Sequence, residues 1–257
     1  MSYLQPLLES TRARIADLRT TASRADREAA ARDAPPTLSF RDSLLDDGVA
    51  IIAEIKRATP RLGAIAPDLD AGTAARSYAA GGAAALSVLT EPHKFGGSVD
   101  DLKAAKAAGL PVLRKDFILD EIQIAESRAA GADAVLLIVR VLGNELDRLV
   151  GSCEALGMDA LVEVSGEADM QRANAAGASL IGINHRDLET FELDPGRTKK
   201  LGPLADPRAT LIALSGVSTR ADVIALERAG VAAVLVGQAL VTDPDPAAKI
   251  RMLRGLP

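Results

Sequence analysis

Residues 131–139 read Gly-Ala-Asp-Ala-Val-Leu-Leu-Ile-Val, a turn-forming glycine followed by an almost unbroken apolar run. Alternating apolar and polar residues would mark a strand with one wet face. A continuous Val/Leu/Ile run marks a strand buried on both faces, the habit of parallel sheets. The same phrase recurs outward in both directions. Gly81-Gly82 precedes Ala83–Leu89, Gly109 precedes Pro111–Leu113, Gly157 precedes Ala160–Val164, Gly177 precedes Leu180–Ile183 and Gly230 precedes Ala232–Val236. Most neighbouring copies lie roughly 20–27 residues apart, the length of one strand, loop and helix. The intervening stretches are helical in pattern: Asp120–Ala130 sets Ile122, Ile124 and Ala125 among charged residues, and Thr219–Ala229 opens on a capping hydroxyl.

Val49–Lys56 at the front and Ala209–Ser215 before the last unit complete eight strands. Eight βα units in 257 residues predict an α/β fold, a closed (β/α)8 TIM barrel, rather than an open sheet. No G-x-G-x-x-G follows the first strand, which argues further against a dinucleotide-binding sheet. Residues 1–48 precede the barrel as an N-terminal helical extension that caps it, with Leu4–Arg32 helical until Ala34-Pro35-Pro36 breaks the pattern. The segment after Phe191, through Gly202-Pro203 and Asp206-Pro207, reads as irregular. No linker interrupts residues 49–257, so the expectation is a single barrel domain.

Composition narrows the function. The chain is 48% hydrophobic, almost free of aromatics, and carries a formal charge of −5. A nucleic-acid binder needs a basic face to neutralise phosphates, so no nucleic-acid partner is expected. Met1–Thr20 carries Glu9, Arg12, Arg14, Asp17 and Arg19, too charged for a signal-peptide core, and nothing resembles a membrane span. The lone Cys153 can form no intramolecular disulfide and fits a reducing, cytoplasmic setting.

In such barrels the reacting groups sit at the carboxyl ends of the strands. The first strand ends in Glu54-Ile55-Lys56, and a period of two turns Glu54 and Lys56 to one face, toward the barrel mouth. The third ends in Arg114-Lys115-Asp116, the fifth carries Glu163 and the sixth ends at Asn184. Charged groups in an aliphatic barrel are costly unless paired, so a mixed set gathered at one end points to proton transfer and anion recognition. Ser215-Gly216-Val217-Ser218 after strand seven and Gly237-Gln238 after strand eight lie where barrels build phosphate cradles from backbone N–H groups. Thr59 and Arg61, after strand one, could add a hydroxyl and a charge. His93 and His185 lack ligand spacing and are read as surface or loop residues; Cys153 is read as a buried apolar residue in a helix.

Seven ordered blocks carry a resemblance. Glu54-Ile-Lys-Arg-Ala-Thr-Pro, Ala85-Leu-Ser-Val-Leu-Thr-Glu, Phe95-Gly-Gly-Ser and Val112-Leu-Arg-Lys-Asp-Phe-Ile are followed by Leu161-Val-Glu-Val, Ile181-Gly-Ile-Asn-His-Arg-Asp-Leu and Val236-Gly-Gln-Ala-Leu. The chain resembles the indole-3-glycerol-phosphate synthases from about residue 4 to its C-terminus. The resemblance implies a carboxy-lyase of tryptophan biosynthesis that closes the ring of 1-(2-carboxyphenylamino)-1-deoxyribulose 5-phosphate, a small phosphorylated substrate. It implies no metal and no organic cofactor. Lys115 would be a general acid, Lys56 would bind the carboxylate and share proton transfer, and Glu163 would be the base that restores aromaticity. Glu54 and Asn184 would orient these groups. Thr59, Ser215, Gly216, Gly237 and Gln238 would hold the phosphate, with Arg186 near that end and Phe117 against the substrate. A monomer is expected, with neighbouring pathway enzymes left open as partners, and which lysine carries the key proton stays open.

Four positions depart from the family pattern. Leu214 stands where a glutamate usually precedes Ser-Gly, and Ser165, His185 and Gln238 replace other common residues. Leu214 keeps two alternatives open: a diverged paralogue acting on a related phosphorylated substrate, and a non-catalytic ligand-binding barrel.

Overall fold

The repeat glycines end helices. In a computed structural model, which describes residues 4–45 and 48–257, Gly131 takes φ +92° just past a helix, and Gly82, Gly109, Gly157, Gly177 and Gly230 do the same. A left-handed residue stops the helix and sends the chain into the next strand.

Eight parallel strands follow: β1 Ala50–Ile55, β2 Ala85–Leu89, β3 Val112–Lys115, β4 Ala134–Ile138, β5 Asp159–Val164, β6 Leu180–Asn184, β7 Thr210–Leu214 and β8 Ala233–Val236. Each pairs with its sequence neighbour, and β1 pairs with β8, closing the barrel. The expected strands are all present, with ends displaced by a residue or two. The registers Ile52↔Ala85, Leu113↔Ala134 and Leu180↔Thr210 align the strands so that alternate side chains meet inside. Ala50, Ile52, Ala85, Leu113, Leu136, Leu161, Leu180, Ile212, Leu214, Ala233 and Leu235 form that inner core. The opposite faces join the surrounding helices in a second core that includes Val88, Val135, Val162, Ile183 and Val234. Burial on both sides explains the continuous apolar runs.

The extension wraps the barrel from one end to the other. Helix α1 (Leu4–Thr21) places Leu4 and Leu7 at the mouth, and Arg14 donates twice to the buried Asp116, at 2.8 and 2.9 Å. The expected single helix is broken at Ala22–Ser23. Ser23 caps α2 (Arg24–Asp33) with a reciprocal Ser23/Asp26 capping box, a stronger local choice than continuing α1. Beyond α2 the chain reaches the opposite end. There Thr37 Oγ1 donates to the Gly157 carbonyl, and the Leu38 and Arg41 amides donate to Asp133 and Asp159. Phe40 and Leu44, fully buried, enter the inner core beside the first residues of the strands.

Two local expectations need correction. Residues after Phe191 are not all irregular: Arg197–Leu201 forms a short helix whose Thr198 and Leu201 are buried. Ala58–Thr59 and Gly63–Ala64 pair as a small antiparallel hairpin in what reads as a plain loop. In keeping with the sequence, Thr219 caps its helix and Cys153 is buried in a helix, its thiol pushed up to about 12 chiefly by burial; both Thr219 and Asp120 form capping boxes. Among the described residues no helix is long and apolar enough to cross a membrane.

Candidate active site

At the carboxyl ends of the strands lies a cavity of about 600 Å³. It is lined by Glu54, Lys56, Thr59, Arg61, Lys115, Phe117, Asn184, Arg186, Ser215, Gly216, Gly237 and Gln238, with Leu4, Leu89, Phe95, Leu188, Leu214 and Leu235 among its apolar walls. All but one of the candidate residues therefore converge. The exception is Glu163, which does not line the cavity. It lies behind Asn184, whose Nδ2 donates to Glu163 Oε1 at 2.9 Å.

Charge is concentrated on the β1 side. Lys56 Nζ donates to Glu54 Oε1 at 2.8 Å, and Lys115 Nζ lies 3.8 Å from Glu54 Oε2. Burial pushes the Glu54 carboxyl up, but the ammonium groups of Lys56 and Lys115 outweigh it and leave the group below the ordinary carboxylate range. Glu54 is thus an ionised counter-charge shared by two lysines. Glu163 goes the other way. Burial raises its pKa, Lys115 and the Asn184 amide only partly oppose that, and Asp169 and Glu54 add to it. A carboxylate with raised proton affinity suits a base better than an ordinary one.

Gly237 sits against this pair. A Cβ there would collide with the Glu54 carboxylate and fall 2.7 Å from Lys56 Nζ, so only glycine lets β8 pass so close. Gly237→Ala is expected to displace the pair and lower kcat/KM about 10²-fold, in line with loss of one preorganised polar contact, while circular dichroism stays unchanged. Activity within a factor of about three would show that the pair tolerates the shift.

The loop after β7 has unusual backbone. Ser215 takes φ +71° and Gly216 φ +82°, the first rare for a residue with a side chain. Arg186 reaches the cavity after β6, its amide bonded to Asn184 Oδ1 and its guanidinium to the Phe191 carbonyl. Thr59 Oγ1 accepts from the Leu62 amide inside the hairpin, and Arg61 is exposed. Gln238, also exposed, begins the short helix after Gly237.

His93 is exposed as expected, but His185 is not a surface residue: it is buried and bonded through both ring nitrogens. Ser165 donates to Asp169 and does not line the cavity. Leu214 is buried, with Cδ1 packed over Gly182 and its register position beside Asn184. Sequence reasoning missed Leu4 and Leu7 at the rim, although the Leu4/Leu7/Leu8 spacing marks an apolar face. It also missed Arg57, whose guanidinium grips Asp101 at 2.7 Å and the Gly96 and Leu69 carbonyls, fixing the loop after β1. Among the described residues no cluster of three or more His, Cys, Asp or Glu side chains could hold a metal ion.

So built, the molecule falls in the class of (β/α)8-barrel enzymes with their reacting groups at the strand ends. The sequence model of the indole-3-glycerol phosphate synthase family matches residues 4–253. The chain belongs to that family. It is 44% identical over 258 residues to an indole-3-glycerol phosphate synthase of a Nocardioides species, covering 100% of this chain and 99% of that protein. It is 46% identical over 248 residues to the Rhodococcus jostii protein of the same name, covering 96% and 92%. Among solved structures, a 3-hexulose-6-phosphate synthase superposes with a TM-score of 0.64 at 20% identity, over 80% of this chain and 99% of that one, a likeness of fold alone.

Proposed function

We propose that this cavity converts 1-(2-carboxyphenylamino)-1-deoxyribulose 5-phosphate to indole-3-glycerol phosphate, releasing carbon dioxide and water. The observation that carries the reading is the pair of ammonium groups sharing one ionised glutamate at the barrel mouth, in a chain matched to the family over almost its whole length. Lys115 donates a proton to the ketone oxygen as the aryl carbon bearing the carboxylate attacks the carbonyl carbon. Lys56 holds the carboxylate until its carbon–carbon bond breaks and carbon dioxide leaves. A lysine then protonates the departing hydroxyl. Glu163, its carboxylate oriented by the Asn184 amide, takes the ring proton that restores aromaticity. Ser215, Gly216, Gly237 and Gln238, with Arg186 and Thr59 nearby, hold the phosphate, and Phe117 with the leucine walls holds the aryl ring. The chain acts as one folding unit and as a monomer in the cytoplasm; the contacts that tie the extension to both barrel ends support the first of these.

Incubating the purified protein with this substrate and following indole fluorescence tests the reading, and no signal at high enzyme concentration defeats it. Leu214 favours a second reading, a related phosphorylated substrate, because an apolar side chain occupies the family's carboxylate position beside Asn184. Leu214→Glu is expected to raise kcat by about 10²-fold if the missing carboxylate acts in the transition state. An unchanged or lower rate points to the second substrate.

A further inference from the structure

The reaction above gives His185 no task, yet its side chain is buried and both ring nitrogens are bonded. At the end of β6 the chain turns Asn184 into the cavity and His185 outward through the wall, against Thr198 and the loop after β7. Nε2 lies 2.7 Å from Thr198 Oγ1, and Nδ1 lies 3.2 Å from the Ser215 carbonyl oxygen. A carbonyl can only accept, so Nδ1 carries the proton and Nε2 accepts from the Thr198 hydroxyl. Burial lowers the pKa of the ring and Arg197 adds to this, against the opposing Ser215 bond and Asp194, which keeps the neutral tautomer in place.

The Ser215 carbonyl and the Gly216 N–H belong to one peptide unit, and in a trans peptide they point in opposite directions. Fixing the carbonyl to a ring behind the wall therefore turns the N–H forward, toward the cavity that both residues line. The plane lies between two left-handed residues, Ser215 at φ +71° and Gly216 at φ +82°, a conformation that persists only where its surroundings hold it. Among the described residues no acceptor meets the Gly216 N–H. We propose that His185 is a positioning residue for anion recognition: by holding the Ser215 carbonyl it aims the Gly216 N–H at the substrate phosphate. The inference rests on the reading that the phosphate sits in this loop.

Inorganic phosphate, used as a competitive inhibitor, tests both. His185→Ala should raise the inhibition constant for phosphate and the KM for substrate about ten-fold each, as loss of one charge-assisted donor would, with kcat nearly constant. His185→Gln, whose amide can still donate to the Ser215 carbonyl, should recover most of the loss. If phosphate fails to inhibit the unaltered enzyme, the phosphate-loop reading falls. If it inhibits the unaltered enzyme and His185→Ala equally, only the role of His185 falls. Equal losses in the Ala and Gln variants, or a drop in kcat at constant KM, also overturn that role. Should His185→Ala lack a cooperative thermal transition, Thr198→Val, which frees the far side of the ring, decides: weaker phosphate inhibition supports the role and unchanged inhibition removes it.

Discussion

Replacing Lys115 with alanine is expected to lower kcat by about 10³–10⁴-fold, the upper range for loss of a positioned general acid. In the proposed reaction this ammonium gives up its proton as the carbonyl is attacked and not on binding, so kcat should fall far more than KM rises. The fold should survive. The Lys115 side chain is 21% exposed at the cavity, and Glu54 keeps its 2.8 Å bond to Lys56. Circular dichroism beside the fluorescence assay separates the outcomes: a folded variant within ten-fold of normal kcat would remove Lys115 from the acid role and pass it to Lys56.

The second large effect concerns stability. Asp116, next to Lys115 but turned outward, accepts from Arg14, from Thr90 Oγ1 at 2.7 Å, from the buried Arg114 and from the Phe117 amide. Burial alone would push its carboxyl up. The Arg14 hydrogen bonds, the charge of Arg114 and the Thr90 hydroxyl overcome that and hold it below the ordinary range. Asp116→Ala leaves the Phe117 amide and part of Arg114 unsatisfied, and should cost about 3 kcal/mol, the lower end for breaking a buried pair, because Arg114 keeps Glu126. In a protein of this size that corresponds to a fall in Tm of about 10 °C. The sign with pH follows. A group whose folded pKa is depressed contributes its stability above its unfolded value of about 3.9 and loses it as pH falls toward the folded one. Asp116→Ala should therefore lose most stability near neutral pH and flatten the acid side of the stability profile. A variant that melts within about 2 °C of the parent would show that Arg14 and Arg114 find water instead.

The barrel could be read from the chain because its strands are buried on both faces and six of them follow a helix that ends on a left-handed glycine. Those two local facts recur together, and few other folds need them at that spacing. The active-site face was readable for the same reason. A period of two decides which way Glu54, Lys115 and Asn184 point. It does not decide depth, and so it could not show that Glu163 stands behind Asn184 rather than beside it. Partners distant in sequence were hidden altogether. Arg14 meets Asp116 across 102 residues, and neither residue carries a local mark of the pairing. The burial of His185 was hidden for that reason too: nothing local tells a solvated loop histidine from one whose two nitrogens meet Thr198 and Ser215. The hairpin at Ala58–Ala64 escaped because two-residue strands have no period to detect.

The residues that close the far end have a kinetic consequence. With Phe40 and Leu44 buried in the inner core near the first residues of the strands, the active site is a well closed at its far end. Whatever enters as reactant must make room for what departs, and indole-3-glycerol phosphate keeps the phosphate of its precursor. Product left in the well therefore bars the next reactant, so it should inhibit competitively, and its escape rather than bond making can come to set the pace of turnover.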